Sequence, residues 1–405
     1  MALGPRERRT LKTVLAWALF DLANTFFAVA MLSFFFPLWI VEHLRARELS
    51  FSIALGASMA CVALVMPFCG AVSDATGERM RFLRWATYGC VAATLLIGMT
   101  SHLVLALVLF GVANFCYQLG TIFYDALLWR VAPQGRLGEI SGLGAAFGYV
   151  GSMIGLLILW PFVRWGGYQA AFAPSAVCFL LFALPSFLVI REARGAQLGN
   201  VRELARTAWL RLSITVRAAR TQGAIWSFLW ASFFSANAIN TVLVFMAVYT
   251  RKVIGFTIEQ LILFFLFSQA FAIAGAMAFG KTVRFWGAKR TLAVVWAGWI
   301  AALGLLAAGV SPRLLWVAGP ITGFCLGSTW ATARVLLVEL SPKDQLAEMF
   351  GLAGLFGRAA SILGPLLWGL LVWDPSRYHA AILSLIGLLG IGLWLLSRVD
   401  VPDLT

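Results

Sequence analysis

The sequence predicts an all-α membrane protein with twelve transmembrane helices, arranged as two pseudo-symmetric six-helix bundles. Three observations lead to this fold class: an apolar composition, a dozen long hydrophobic stretches, and segments that recur about 210 residues apart. Of the 405 residues, 61% are hydrophobic and 12% are charged, whereas soluble proteins have roughly 45–50% apolar and about 25% charged residues. This chain has too little polar surface to cover a water-soluble globule.

Twelve stretches are long enough to cross a bilayer, which requires ~20 predominantly apolar residues. The first stretch predicts a transmembrane helix rather than a signal peptide, because it is too long and lacks a small-residue cleavage site. The predicted spans are 14–41, 51–74, 82–100, 103–128, 140–164, 168–190, 224–250, 257–280, 290–309, 314–337, 346–372 and 378–397.

The net charge of +14 raises the question of a nucleic-acid partner. If the N-terminus is cytoplasmic, the loops and adjoining span ends on its side of the membrane carry 22 Lys and Arg, and those on the opposite side carry 7. This asymmetry follows the positive-inside rule, so both termini are expected in the cytoplasm. The basic charge therefore indicates topology, and we expect membrane lipids rather than nucleic acid around this chain.

A basic segment divides the chain into domains 1–190 and 224–405. The intervening residues 191–223 are less hydrophobic than the spans and contain seven Arg. In a helix, Val201, Leu204 and Leu212 would share one face, and Arg202 and Arg206 the other. This pattern is typical of an amphipathic helix on an anionic leaflet, and a solvated basic linker is the alternative.

Internal repeats support the division into two halves. The segment GAVSDATGERMR follows the second span and GKTVRFWGAKR follows the eighth, which aligns Gly77 with Gly287. The segments APQGRLGEISGLGAAFG and SPKDQLAEMFGLAGLFG precede or begin the fifth and eleventh spans. In the first and seventh spans, FDLAN and FFSAN align Asn24 with Asn237.

Two six-helix halves joined by a cytoplasmic linker resemble the major facilitator superfamily. The resemblance implies a substrate site between the halves near the bilayer midplane. The loop after the second span resembles the superfamily's signature, with Asp74 and Arg79 as its charged residues. We interpret this loop as a conformational latch, and a purely structural turn is the alternative.

A narrower resemblance depends on four segments. They are LAWALFDLANTFFAVAMLSFFFPLW, FYDALLWRVAPQGRLGEISGLGAAFGYVG, GSTWATARVLLVELSP and EMFGLAGLFGRAASILGPLLWG. Together they are similar to the vacuole-effluxer branch of the superfamily, which contains autophagy-related vacuolar amino-acid exporters of fungi and bacterial relatives. The resemblance implies export of small neutral amino acids only for the fungal members, and for this chain it implies location in a bacterial inner membrane. The chain departs from the family pattern where Asp125 replaces an Asn and Asn237 replaces an Asp.

Ionisable side chains inside the membrane are costly, at ~2.5–3.5 kcal/mol on insertion scales, so they indicate a cavity or a partner. Asp21 lies near the middle of the first span, with Asn24 on the same helical face. We interpret Asp21 as a proton-coupling residue, and a helix-packing bond is the alternative. Arg358 lies midway along the eleventh span and can bind a substrate anion or form a structural pair with an acid.

Further polar residues extend the predicted site. Asp125 and Arg334 lie toward the cytoplasmic ends of their spans and predict an inner gate, with interfacial snorkelling as the alternative. Uncharged polar residues at mid-membrane depth predict substrate contacts, although such groups often only join helices. The predicted substrate-binding residues are Asp21, Asn24, Gln118, Asn237, Asn240, Gln269 and Arg358.

The sequence as a whole favours a secondary active transporter that moves a small polar solute, an amino acid or similar zwitterion. The resemblance adds proton-coupled efflux and alternating access. A transporter of lipid-like cargo and a non-transporting receptor or assembly factor are the alternatives. No CxxC, HExxH or GxSxG motif occurs, so we expect no enzyme, no cofactor and no metal. The expected partners are a small-molecule substrate, lipids and a coupling proton, with the chain as a monomer.

Overall fold

A computed structural model of the chain describes residues 5–131, 137–191, 201–309, 311–342 and 346–400, apart from some of the side chains, most of them toward helix ends. These residues form α-helices joined by short connections. The helices are α1 (Pro5–Phe27), α2 (Phe35–Leu38), α3 (Glu48–Thr76), α4 (Arg79–Ile97), α5 (Leu103–Val131), α6 (Leu137–Gly166), α7 (Phe172–Val189), α8 (Val201–Thr221), α9 (Gly223–Tyr249), α10 (Ile258–Trp286), α11 (Ala288–Ala308), α12 (Pro312–Leu340), α13 (Leu346–Leu371) and α14 (Tyr378–Ser397).

Eleven helical stretches in the described part of the chain are long and apolar enough to cross a membrane. The predicted span 82–100 corresponds to α4, whose three Arg in its first two turns lower its mean hydropathy. Large apolar side chains such as Leu105, Val108 and Val112 of α5 are exposed, as expected for a surface that faces lipid. The all-α membrane fold predicted from the sequence is confirmed.

The first span is not a regular α-helix. Between α1 and α2 the chain forms a π-helical segment, Ala28–Ser33, and a second π-helical segment, Trp39–His43, follows α2. Phe34 interrupts the helix with a φ of −133°. Helices that change from α to π geometry are frequent at functional sites, and α1 carries Asp21 and Asn24.

The described chain forms two compact units. Residues 1–46 and 57–209 form the first unit, and residues 47–56 and 210–405 form the second. The boundary at 209–210 falls inside α8, within the predicted linker 191–223. The short segment 47–56, the start of α3, was expected with the first half, yet it packs with the second.

Helix pairing repeats between the units. In the first unit, α1 packs against α6 and α7, and α4 packs against α5 and α7. In the second unit, α9 packs against α13 and α14, and α11 packs against α12 and α14. These are pairs that the internal repeat relates, so this part of the helix packing is common to both units.

The repeated loops also share a backbone conformation. Gly77 and Gly287, which the repeat aligns, have φ values of 63° and 77°, in the region that glycine adopts without steric cost. A basic residue follows each glycine two positions later and binds a backbone carbonyl oxygen, although the two partners lie on helices that the repeat does not relate. Arg79 donates to the Ala126 carbonyl oxygen at 3.1 Å, and Lys289 donates to the Ser397 carbonyl oxygen at 3.1 Å. Asp74, the acidic residue of the predicted latch, has a side chain that lies outside the described residues.

Small residues allow α10 and α12 to approach closely in the second unit. A Cβ atom at Gly327 would lie 2.7 Å from the carbonyl carbon of Ala272, and one at Gly323 would lie 2.9 Å from that of Ser268. Within a bilayer, helix association depends on such van der Waals packing, because lipid tails are as apolar as the side chains. These two positions therefore require glycine, because any side chain would collide with the backbone of α10.

We expect Gly327→Ala to destabilise the protein by about 1–3 kcal/mol, because overpacking forces backbone shifts. The matched control is Gly304→Ala in α11, where an added Cβ would meet no atom within 4 Å and alanine improves helix propensity by about 0.5–1 kcal/mol. Thermal unfolding in detergent should show a lower melting temperature for the first variant only. Equal melting temperatures would contradict close packing at this crossing.

Candidate functional site

Asp21 lies in the most buried span of the first unit. Within the stretch Leu11–His43, 78% of the most apolar window is buried, and Asp21 itself is half-buried. Helix α6 approaches it through Gly148, where a Cβ atom would lie 3.2 Å from the Asp21 carboxylate Oδ2. The absence of a side chain at Gly148 therefore lets α6 pack directly against the carboxylate.

Tyr124 of α5 accompanies Asp21, and the sequence analysis did not single it out. Its ring is buried and stacks on Trp17, with ring centroids 4.6 Å apart. Its hydroxyl group is buried and has no hydrogen-bond partner among the described residues, and it lies close enough to Asp21 to interact electrostatically. The available sequence signal was its position directly before Asp125 in the segment FYDALLWR.

The other predicted residues of the first unit differ in exposure. Asn24 is 5% exposed on α1, and Gln118 is half-buried on α5. Asp125 is exposed on the same helix. The structure thus places Asp21 and Asn24 in the interior of the unit and Asp125 on its surface.

Asn237 and Asn240 lie on α9, the helix that the repeat relates to α1. The stretch Gly223–Ile254 is 72% buried in its most apolar window, whereas the spans other than this one and Leu11–His43 range from 22% to 44%. Asn237 is fully buried, donates to the Phe233 carbonyl oxygen at 2.8 Å and accepts from the Gly364 N–H at 2.8 Å. Its amide therefore joins α9 to α13, and both of its polar groups already have protein partners.

Asn240 is less enclosed than Asn237. It is half-buried, and its amide nitrogen donates to the Ser361 hydroxyl oxygen of α13 at 2.9 Å. Asn240 thus keeps part of its surface exposed. The two asparagines share one helical face, but Asn237 is fully buried between two partners, whereas Asn240 is partly exposed.

Two arginines of the second unit lie in different environments. Arg358 of α13 is half-buried, and its guanidinium donates to the Gly354 carbonyl oxygen at 3.3 Å within the helix. This long bond turns the side chain back along its own helix. Arg334 of α12 is exposed. Among the described residues, no group of three or more His, Cys, Asp or Glu is arranged to hold a metal ion.

A cavity of about 70 Å³ lies within the second unit, between α9, α10, α11 and α12. Its walls are mainly apolar and aromatic, with Met246, Phe264, Trp299 and Leu306 among them. The predicted residue Gln269 lines this cavity, and its buried carbonyl oxygen Oε1 has no hydrogen-bond partner among the described residues. The hydroxyl of the neighbouring Ser268 is likewise buried and unpartnered there. An apolar space with unpaired polar atoms at one side is suited to a small amphipathic ligand.

Glu48 was assigned by the sequence to the loop between the first two spans, and the structure places it in the first turn of α3. It is only 4% exposed, and Trp368, Tyr378 and Lys252 surround its carboxylate. No periodic pattern indicated this burial, because all three partners lie more than 200 residues away in the chain.

Comparison with known families and proteins gives a consistent result. A family model described as "Vacuole effluxer Atg22 like" matches residues 47–403. The chain is 26% identical over 402 residues to an uncharacterized protein of Aquifex aeolicus, covering 97% of this chain and 98% of the other. It is also 26% identical over 416 residues to the uncharacterized MFS-type transporter YxiO of Bacillus subtilis, covering 97% and 96%.

Solved structures share the fold at low sequence identity. A mutant of the nucleoside transporter NupG superposes with a TM-score of 0.73 at 14% identity, covering 96% of this chain and 98% of that one. A bacterial homologue of the human lysosomal transporter Spinster, in an inward-facing and unoccupied conformation, gives 0.67 at 14% identity, with coverages of 98% and 95%. These similarities establish the transporter fold and carry no information on the substrate.

The different environments of Asn237 and Asn240 lead to a testable difference. We expect Asn237→Ala to destabilise the protein by about 1–3 kcal/mol, because the Gly364 N–H is left buried without an acceptor. Asn240→Ala removes one bond at a half-buried position and should cost less than about 1.5 kcal/mol. Thermal unfolding of both variants in detergent measures the difference. Equal losses would show that the Asn237 amide does not join the two helices.

Proposed function

Because the chain belongs to the vacuole effluxer Atg22 like family and is an MFS-type membrane transporter, we propose that it exports a small amphipathic zwitterion. The proposed substrate is an amino acid with an apolar side chain, and the proposed driving force is proton exchange. The observation that carries this proposal is the apolar cavity beside Gln269, whose amide oxygen has no hydrogen-bond partner in the described part of the chain.

The cavity supports a substrate with two kinds of surface. Its apolar walls favour an aliphatic or aromatic side chain, and the Gln269 oxygen requires a hydrogen-bond donor such as an ammonium group. A fully polar solute, such as a sugar, would leave its hydroxyl groups unpaired against Phe264 and Leu306. A fully apolar molecule would leave Gln269 and Ser268 unpaired, at a cost in binding free energy.

Arg358 is the residue we propose for the substrate carboxylate. Its guanidinium is planar and permanently charged, and matches a carboxylate in geometry. A carboxylate can accept two parallel hydrogen bonds from a guanidinium, whereas the Gly354 carbonyl oxygen accepts one at 3.3 Å. Asn240 is proposed as a further substrate contact, whereas Asn237 is proposed to position α13 beside α9. Asn24 and Gln118 stay predicted substrate contacts.

Asp21 is proposed as the proton-coupling residue. Burial in the membrane interior favours the neutral form of a carboxyl group, and access to water favours the charged form. A carboxyl group that alternates between these environments can therefore bind and release a proton. The Tyr124 hydroxyl, buried and without a hydrogen-bond partner among the described residues, lies near enough to interact with this carboxyl group. The latch at Asp74 and Arg79 and the gate at Asp125 and Arg334 stay predictions of the sequence.

A transporter of lipid-like or amphipathic cargo is the second candidate, favoured by the same apolar walls. The two candidates differ in what the ligand presents to Gln269. A thermal-shift screen of the purified protein separates them, since selective binding raises apparent stability. Leucine and phenylalanine should stabilise the protein if the first candidate is correct, and single-chain lipids if the second is.

We expect Ala318→Leu, which fills the cavity from α12 at a buried position, to weaken leucine binding by about 10-fold or more. The reason is that one methylene group more or less in a hydrophobic pocket changes the preference between two ligands by about 10–200-fold. Glycine or alanine binding should change much less. Gly304→Ala, away from the cavity, is the control in the same thermal-shift titration. Unchanged leucine binding in Ala318→Leu would exclude the cavity as the side-chain site.

We expect Asp21→Asn to abolish transport driven by a pH gradient while leaving substrate exchange across proteoliposome membranes intact, because an amide cannot carry the proton. The control is Asp374→Asn, which neutralises an exposed carboxylate outside the spans. Uptake with and without an imposed pH gradient measures the difference. If Asp21→Asn retained full proton dependence, Asp21 would not be the coupling residue.

A further inference from the structure

We propose that Glu48 is a gating residue, whose release frees the start of α3 from α13 and α14 during transport. The first nine residues of α3, Glu48–Gly56, belong to the second unit, whereas residues 57–76 of the same helix belong to the first. The inference depends on the chain being an MFS-type transporter and is independent of the substrate proposed above.

The Glu48 carboxylate is held by three side chains from three separate elements of the second unit. The Trp368 indole N–H of α13 donates to Oε2 at 2.8 Å, and the Tyr378 hydroxyl at the start of α14 donates to Oε1. The Lys252 ammonium, in the π-helical segment after α9, lies 3.5 Å from Oε1. We call these four residues the Glu48 clamp. Bonds to a charged acceptor are stronger than neutral ones, so the clamp secures this end of α3.

Close packing surrounds the clamp. The Ser52 hydroxyl donates to the Pro365 carbonyl oxygen of α13 at 2.7 Å. At Gly369 a Cβ atom would lie 2.9 Å from the Leu49 Cα atom. The Arg47 guanidinium lies 3.6 Å above the centre of the Trp373 ring. The first turns of α3 and the end of α13 therefore form one specific contact.

A permanent anchor would not need a buried charge. Replacing a buried ion pair by packed apolar residues is often neutral or stabilising, whereas removing one partner is costly. A charged clamp differs from an apolar one because water can replace its partners when the contact opens. Lys252 supplies the route for water, since its side chain is 40% exposed while that of Glu48 is 2% exposed.

The division of α3 gives the clamp its mechanical role. Transporters of this fold work by alternating access, in which packed elements exchange contacts between two discrete states. A helix shared by two units must bend or lose contacts at one end when they rearrange. The end held by the clamp is polar and next to exposed side chains, so it is the end that can exchange protein contacts for water.

The chain contains a matched pair for comparison. Glu42 also accepts a hydrogen bond from a tyrosine, Tyr168, at 2.7 Å, and it lies six residues before Glu48. Both Glu42 and Tyr168 belong to the first unit. Each carboxylate therefore accepts a hydrogen bond from its own tyrosine. Only Glu48 lies on α3, the helix divided between the two units.

The test uses the full-length protein purified in detergent, with Ser52→Cys as a reporter at a fully buried position. The rate at which a charged maleimide labels the introduced thiol measures opening of the contact, and the chain with native Ser52 gives the background from its six cysteines. We expect Glu48→Gln to raise the labelling rate of this reporter thiol at least 10-fold. Glu42→Gln should change it less than 2-fold.

Cys325, buried in α12 of the second unit, reports global loosening in the same sample by peptide mapping. The proposal is overturned if Glu48→Gln leaves labelling of the reporter thiol within 2-fold of the starting rate, or if Cys325 labelling rises in parallel. Should Glu48→Gln fail to fold, Tyr378→Phe removes one hydrogen bond and should raise labelling of the reporter thiol about 3-fold. Hydrogen exchange of the amides of residues 48–56 must rise with it, and no rise in exchange also overturns the proposal.

Discussion

The constraint on which this structure depends is the absence of water inside the bilayer. Every backbone and side-chain polar group at that depth needs a partner in the protein. The helices satisfy the backbone, and the side chains that remain polar are few. Asn237 is fully engaged between α9 and α13, whereas the Gln269 amide oxygen has no partner among the described residues and lies beside the cavity. An unpaired polar atom beside a cavity is where a ligand can supply the missing hydrogen bond.

The same constraint explains the helix pairs that the two units have in common. Helices in lipid gain little from the hydrophobic effect and associate where small residues let backbones approach. Glycines serve this purpose at Gly148 against Asp21 and at Gly327 against Ala272. The most buried helices of the units, α1 and α9, also carry the polar residues that the repeat aligns. The helices that are most closely packed are thus also the helices that carry the predicted functional residues.

The sequence predicted the architecture well, because hydrophobic length and repeats are local or periodic signals, and the predicted spans correspond to observed helices. Side-chain environment was less predictable. Polarity alone made Asn237 and Asn240 look equivalent, yet the atoms they face differ. Glu48 was assigned to a loop because the hydrophobic stretch that marks the second span begins only after it, and its partners lie far along the chain. The π-helical segments of the first span had no compositional signal.

The Glu48 clamp also bears on how the chain matures in the membrane. Glu48 is separated from Trp368 by 320 residues and from Tyr378 by 330. At a synthesis rate of about 5–20 residues per second, the ribosome adds the last of these partners on the order of 15–65 seconds after it adds Glu48. During that interval it must be tolerated hydrated or protonated at the end of an incomplete helix. Completion of the second bundle therefore recruits a segment that was inserted near the beginning of translation.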